Sequence, residues 1–288
     1  MKQTIAACLL GALAMTKGAG PVAAQEPPPV FSIRYELSRD RFSYRFENRS
    51  AFNTAELVPH EFTQTYWGDN QWLAVQARYL LGINMFESEV AATPQRTTRG
   101  DDFDTFFQPD GDVVIAGTTG NVSLRSLRFR ESMVVWRGAG LHWRIGYQYR
   151  RDRSVFHAGQ VKISHTNPPS VERSITNDRE VTISENHEVR FGVSRSWNPT
   201  SGWLTKIDVD AAPAAQARLT TILPDKYPGR EIVFTANTFS LNPVLTVTYG
   251  ERLPLSFTFG YTQTFNYDRS RQFERNAVTV GVGIGTGQ

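Results

Sequence analysis

The chain keeps to a period of two almost from end to end. In Gly140 to Arg150, GLHWRIGYQYR, residues Leu141, Trp143, Ile145, Tyr147 and Tyr149 fall on one side, and His142, Arg144, Gln148 and Arg150 fall on the other. The same alternation recurs in FSIRYEL, RFSYRF, EFTQTYW, WLAVQARYLLGINMF, SLRFRESMVVW, HEVRFGVSRSW, WLTKIDVDA, EIVFTANTF, VLTVTY, LSFTFGYTQTF and AVTVGVGIG, with no convincing helical period anywhere. Successive side chains of a strand point to opposite faces, so an all-β fold is expected. One such segment suits a water-soluble sandwich; the arrangement of all of them points elsewhere.

The connections alternate in length. Short ones fall at WGDNQW, WRGAGLHW, WNPTSGW and YGERLP, and long polar ones at Glu47 to Pro59, Glu87 to Asn121, Arg151 to Asn186, Ala212 to Arg230 and Asn266 to Asn276. If Phe31 to Phe46 is one strand with an irregularity near Ser38 to Asp40, and Glu231 to Tyr249 is another, the count is ten antiparallel strands. Tight turns at one end and long loops at the other are the pattern of a transmembrane β-barrel of the outer-membrane type, with short periplasmic turns and long extracellular loops. All six tryptophans flank the first three short turns: Trp67 and Trp72, Trp136 and Trp143, Trp197 and Trp203. An indole ring is apolar while its N–H still seeks water or a headgroup. The six are therefore expected to form a girdle at the periplasmic rim.

With aromatics toward lipid, the lumen receives Arg34, Glu36, Gln76, Arg78, Arg128, Arg130, His142, Arg144, Gln148, Arg150, Glu188, Arg190, Lys206, Asp208 and Asp210. A ten-stranded barrel is narrow, and small barrels are filled by their own side chains. A plug of paired charges is expected rather than a wide channel. Glu131 falls on the apolar side between Phe129 and Met133, which implies either a bulge or a rise above the bilayer.

Residues 1–24 read as a secretory signal: Lys2, an apolar run from Ile5 to Met15, and the small-residue site Val22-Ala23-Ala24. A proline-rich leader, 25–30, precedes a single barrel domain over 31–288. The expected location is the bacterial outer membrane after Sec-type export. Cys8 lies in the signal, so the mature chain holds no cysteine and does not depend on disulfides. Of 31 basic residues the signal removes Lys2 and Lys17, leaving 29 against 28 acidic ones. This near balance gives no reason to expect a nucleic-acid partner. The glycines of the last strand suggest close packing, and its end, Ile284-Gly285-Thr286-Gly287-Gln288, lacks the terminal aromatic usual in such barrels.

Ten strands, four short turns and five long loops over Gln25 to Gln288 resemble the omptin family of outer-membrane proteases. RIGYQYRRDRSVF is similar to that family's strand leading into the third loop, and DKYPGREIVF to its return from the fourth. The resemblance implies a site on the extracellular rim, where an Asp-x-Asp pair of the second loop faces an Asp-x-His pair of the fourth and a water is activated between them. Asp102-Phe103-Asp104 matches the first pair. Asp225-Lys226-Tyr227 stands at the second, with tyrosine in place of histidine, and no histidine occurs from Ala212 to Arg230. The candidate site residues are thus Asp102, Asp104 and Asp225, with His157 or His165 as the base an active enzyme would have to recruit. Loss of a positioned acid–base group costs about 10²- to 10⁴-fold in rate.

The plainer reading of Asp102 and Asp104 is a solvated acidic loop, and Asp101, Asp110 and Asp112 also admit an oxygen-ligand calcium site, though the spacing fits no EF-hand. No pair of histidines has zinc-hydrolase spacing, and GVGIGTG belongs to a strand rather than to a phosphate loop. Neither a metal nor a cofactor is expected; lipopolysaccharide is the one candidate bound lipid. The expected protein is a monomeric, non-catalytic barrel whose loops hold lipopolysaccharide or another surface partner, with Arg128, Arg130, Arg150, Arg151 and Arg153 as candidate phosphate contacts. Outer-membrane lipids and the barrel assembly machinery are its other expected partners. An omptin-like endopeptidase and a narrow pore are the alternatives.

Overall fold

The computed structural model describes residues 31–49, 59–81, 84–138, 141–250, 253–266 and 271–286; the signal and leader lie outside them. These residues form twelve strands and no helix: β1(Phe31–Arg49), β2(Pro59–Leu81), β3(Asn84–Ala92), β4(Arg96–Phe107), β5(Val113–Gly138), β6(Leu141–Thr166), β7(Pro169–Ile175), β8(Arg179–Trp197), β9(Trp203–Ile222), β10(Glu231–Tyr249), β11(Leu255–Asn266) and β12(Arg271–Thr286). The sheet closes on itself, since β1 pairs with both β12 and β2, and β5 pairs with β6. β3 and β4 both lie between β2 and β5, β3 against their lower parts and β4 against their upper parts. They are one strand broken at Thr93–Gln95, where Pro94 has no N–H to give the ladder. β7 pairs only with β6 above the ring. Twelve strands therefore fill ten barrel positions, the number expected, though not as the sequence divides them.

Two of the expected boundaries move. WGDNQW is no turn: β2 runs straight through it, paired with Glu36 to Arg41 of β1. The first tight connection instead joins Leu81 to Asn84, inside what reads as one strand. The second long loop, Glu87 to Asn121, is mostly strand, and only Gln108 to Asp112 connects β4 to β5. β6, β8 and β9 likewise extend far into their expected loops. β1 shows no irregularity at Ser38 to Asp40 and pairs without a break.

The tryptophan girdle is correspondingly smaller. Trp143, Trp197 and Trp203 are exposed at the tight-turn end, where Trp203 packs on Tyr249 with ring centroids 4.7 Å apart, and Trp136 pairs with Trp143 in register. Trp67 and Trp72 sit mid-strand. They are an odd number of residues apart, so a continuous strand must turn them to opposite faces: Trp67 is outside and half exposed, and Trp72 is inside and 1% exposed.

On β1 the sense of the alternation reverses partway up. Phe31, Ile33, Tyr35 and Leu37 face outward and are exposed, whereas above them Arg39 and Arg41 take that face. Inside, the order is opposite: Arg34, Glu36 and Asp40 lie low, and Phe42 and Tyr44 lie above, both about 1% exposed. Exposed Val278, Val280, Val282 and Ile284 of β12, and Leu255, Phe257 and Phe259 of β11, continue the lower apolar belt around the barrel. An apolar core of Phe42, Tyr44, Tyr66, Val122, Leu124, Phe156, Leu219, Phe234 and Phe273 fills the part above it. The lower half is thus built for lipid outside, the upper half for water outside.

Glu131 lies within the belt and faces outward with neither a bulge beside it nor a rise above lipid. The register is unbroken from Leu127 to Val134. Its carboxylate instead accepts hydrogen bonds from the hydroxyls of Tyr79 and Ser88.

Candidate functional site

Inside the belt the expected lumen residues meet and pair. Arg34 reaches Glu36 at 2.5 Å and Glu89 at 2.6 Å, and Arg128 reaches the same two carboxylates at 3.1 and 2.9 Å. Arg144 holds Glu87, Asp208 and Asp210 at 3.2, 2.8 and 2.8 Å, Arg190 holds Asp210 at 3.3 Å, and Arg78 holds Glu87 at 2.6 Å. A layer higher, Arg150 bridges Asp40 and Asp152, and Arg275 closes on Asp152. Trp72 lies under this layer with the Arg128 and Arg150 guanidinium carbons 4.9 and 5.0 Å from its ring, its N–H donated to Ser38. Such ions are tolerable away from water only because each has several partners. The arrangement is the expected plug.

Arg128, Arg130 and Arg150 belong to that plug and are not surface contacts. Arg151 and Arg153 do face outward. Arg153 stands directly opposite Arg125 of β5, also exposed, and Arg151 opposite Leu127. These three arginines crown the belt where Leu127, Phe129 and Tyr147 end it.

Asp102 and Asp104 lie in β4 rather than in a loop, on its inner face and above the belt. Asp102 is 7% exposed and pairs in register with Gln64. One of its oxygens, Oδ1, has no hydrogen-bond partner. Across the barrel mouth Gln64 donates to Glu180 Oε1 at 3.1 Å and Thr182 donates to it at 3.2 Å; the Tyr44 hydroxyl lies 2.6 Å from Gln64 Oε1 and 3.1 Å from Glu180 Oε1, its one proton shared between them. Burial, then the charge of Asp104, pushes the Glu180 carboxyl up to about 7; burial, then the charges of Glu180 and Asp104, raises Asp102 well above the carboxylate range. The sequence reading missed Glu180 and Tyr44. The signal was present for Glu180, since it keeps the parity of the lumen residues Glu188 and Arg190 once β8 is extended upward.

Asp225 is not brought to this cluster. Its carboxylate accepts the Arg179 backbone N–H at 2.9 Å and the guanidinium at 3.0 and 2.8 Å, contacts that lower it to about 2. It clamps the connection between β9 and β10 onto the start of β8. From the same connection, Lys226 is the residue whose charge reaches Asp102, and it also pairs with Asp178 at 3.2 Å.

The candidate bases lie elsewhere too. His157 is exposed on the outer face of β6, and His187 is bonded to Tyr147 on the outside wall. A register shift at Thr119/Gly120 turns His165 to the same face as Asp102. It stands four residues above Val161, which lies level with Asp102, hence roughly 13 Å further up the strand. His165 is bonded to Asp112 at 2.8 Å. Asp112 also accepts the N–H groups of Thr166 and Asn167, so its oxygens tie β5 to β6. Among the described residues no group of three or more His, Cys, Asp or Glu side chains is placed to hold a metal.

No family model and no curated protein sequence matches the chain. Solved structures do. The outer membrane protease OmpT of Escherichia coli superposes over 92% of this chain and 99% of its own, with a TM-score of 0.62 at 8% identity. The translocator domain of the autotransporter NalP of Neisseria meningitidis matches over 98% and 96%, with a TM-score of 0.33 at 10% identity. Closed ring, apolar belt, charged lumen and the match to OmpT together describe one architecture: the chain folds as a β-barrel of the outer-membrane type, with a ring like that of OmpT.

Proposed function

We propose that the protein binds lipopolysaccharide on its outer wall and serves as a closed surface-binding barrel, not as a peptidase or a pore. The observation that carries this reading is the Arg125–Arg153 pair, with Arg151 beside it. Like charges directly opposite on neighbouring strands repel, and placing two outward-facing arginines so, at the upper edge of the lipid belt, is favourable when an anion lies between them. Guanidinium binds phosphate bidentately, and phosphate is the anion that a lipopolysaccharide headgroup brings to that height. The plugged lumen supports a closed barrel. The engagement of Asp225 by Arg179, and of His165 by Asp112, supports a binding role for the mouth over the omptin-like hydrolysis that Asp102 and Asp104 would otherwise suggest.

The test is calorimetric titration of lipopolysaccharide into the refolded, detergent-solubilised protein. The Arg151→Gln/Arg153→Gln double variant is expected to bind at least about tenfold more weakly, the loss of one good charged contact. Equal affinity of the two proteins would remove the reading. In parallel, a fluorogenic peptide library rich in basic pairs is expected to give no turnover above a heat-denatured control. Turnover that disappears in Asp102→Asn would establish the endopeptidase instead.

A further inference from the structure

The lumen plug does not fill the barrel. A cavity of about 230 Å³ runs inside the belt down to the periplasmic rim at Ser32, Leu204, Pro254 and Gly285. Its two walls differ in kind. One carries the ion-pair network; the other, from β10 to β12, carries only small or uncharged side chains such as Thr246, Ser256, Thr258 and Thr279. The alternation of AVTVGVGIG explains the space: valines and isoleucine face lipid, and glycines face inward. A Cβ at Gly281 would stand 2.5 Å from Thr258 Oγ1 and 3.2 Å from Glu36 Cγ, so glycine there lets this wall approach the network without filling the gap.

The cavity is also unbalanced in charge. Six cations line it against five carboxylates. Arg130 is the least compensated: its nearest carboxylate is Glu89 at 3.7 Å, already held more closely by Arg34 and Arg128. Its Nε is donated to the neutral Gln148, which Arg190 also uses. Glu188, the next acid above, is turned to Gln148, Asn186 and Ser240. Three buried polar atoms of the lining lack a hydrogen bond, Arg78 Nε, Thr258 Oγ1 and Asp208 Oδ1; the last is held by ion pairs to Arg144 and Lys206 at 2.8 and 3.1 Å, which leaves Arg78 Nε and the Thr258 hydroxyl as the orphaned donors. A cavity with surplus cation and orphaned donors on both walls is built for an anion, and its volume, below the ~300 Å³ where drug-sized ligands begin, restricts that anion to a small one.

We propose that the periplasm-facing cavity is a binding site for a small oxyanion, held by the Arg130 guanidinium, the Arg78 Nε–H and the Thr258 hydroxyl. The site is separate from the outer-wall arginines, which lie across the barrel wall and above the belt.

The probe is inorganic phosphate, titrated calorimetrically into the detergent-solubilised protein against sodium chloride at matched ionic strength. Saturable binding is expected in the wild type and in Arg151→Gln/Arg153→Gln. It should weaken at least about tenfold in Arg130→Gln, which removes a charged contact, and severalfold in Thr258→Val, which keeps the shape and loses only the hydroxyl. The Thr258 variant keeps the test decisive should Arg130→Gln not fold. Absence of saturable binding by the folded wild type, or unchanged affinity in Thr258→Val and Arg130→Gln, overturns the proposal. Binding lost only in the outer-wall double variant would assign the phosphate to the lipid-facing arginines and leave the cavity to water.

Discussion

Glu180 is the residue whose replacement tests most sharply how the upper barrel is held. Its carboxyl is buried to 5% exposure and is raised from the ordinary 4.5 to about 7, chiefly by that burial. An acid with a raised folded-state value binds its proton more tightly folded than unfolded. Its contribution is therefore full below about pH 4.5 and is lost as pH climbs toward 7, because the unfolded chain ionises first. At about 1.4 kcal/mol for each tenfold change in proton affinity, the rise from 4.5 to about 7 makes the loss some 3 kcal/mol. Glu180→Gln removes the ionisation and keeps an oxygen to accept from Tyr44, Gln64 and Thr182. In urea unfolding of the micelle-bound protein, the variant should be more stable than wild type at pH 8 by about 2–3 kcal/mol and nearly equal at pH 4. Its decline should be shallower by at most about 1.4 kcal/mol per pH unit, and only between about pH 4.5 and 7, with the remaining slope belonging to Asp102. Parallel curves, or a variant less stable at pH 8, would refute the account of Glu180 as a carboxyl held protonated.

The two tryptophans of WGDNQW should respond oppositely. Trp72→Ala removes a fully buried ring beneath two guanidinium groups and should cost about 3–5 kcal/mol, whereas Trp67→Ala, half exposed beneath Arg41, should cost under about 1 kcal/mol; unfolding midpoints in urea compare them directly. In the plug, Arg144→Met removes the cation shared by Glu87, Asp208 and Asp210 and leaves each one partner, Arg78, Lys206 and Arg190, so the same assay should show a loss of about 1–3 kcal/mol, short of the cost of an unpaired buried charge. Arg179→Ala, which frees only the exposed Asp225, should leave the midpoint in place.

What the sequence shows is the lipid-facing half. There the period of two has a fixed sense, apolar outside and charged inside, and the lumen residues could be named one by one, from Arg34 through Asp210. Above the belt the chain still alternates, but the outside is now water, so the contrast between faces weakens and reverses. Asp101, Asp102 and Asp104 then look like a loop, although Gly100 and Asp102 point into a packed interior and Asp101 to solvent. The false turn at WGDNQW has the same origin: Gly-Asp-Asn is turn chemistry by composition, yet it sits where the barrel passes from lipid to water, and polar residues on both faces are natural there. The odd spacing of Trp67 and Trp72 was the available warning. The missed hairpin between Leu81 and Asn84 had no such sign, because both its strands are apolar on their lipid-facing side.

The reversal of faces also explains why the acid cluster sits where it does. A barrel with a charged interior at lipid height and an apolar one above must change from one to the other across a single layer of side chains. Arg150, Asp152 and Arg275 form the last fully paired ionic layer, and the Arg275 guanidinium carbon already lies 5.0 Å from the Phe42 ring. Above that layer the aromatic core lowers the local dielectric and supplies no cation to pair with a carboxylate. Glu180 and Asp102 are set against the far side of this core, with Tyr44 and Gln64 as neutral donors and Lys226 reaching in from the surface. Their proton affinity follows from position alone. A carboxyl placed two layers lower would meet arginine and ionise; placed here it is held by neutral partners and keeps its proton. Burial is what keeps the proton on Glu180: the bonds donated by Tyr44, Gln64 and Thr182 favour the ionised carboxylate and only partly offset it.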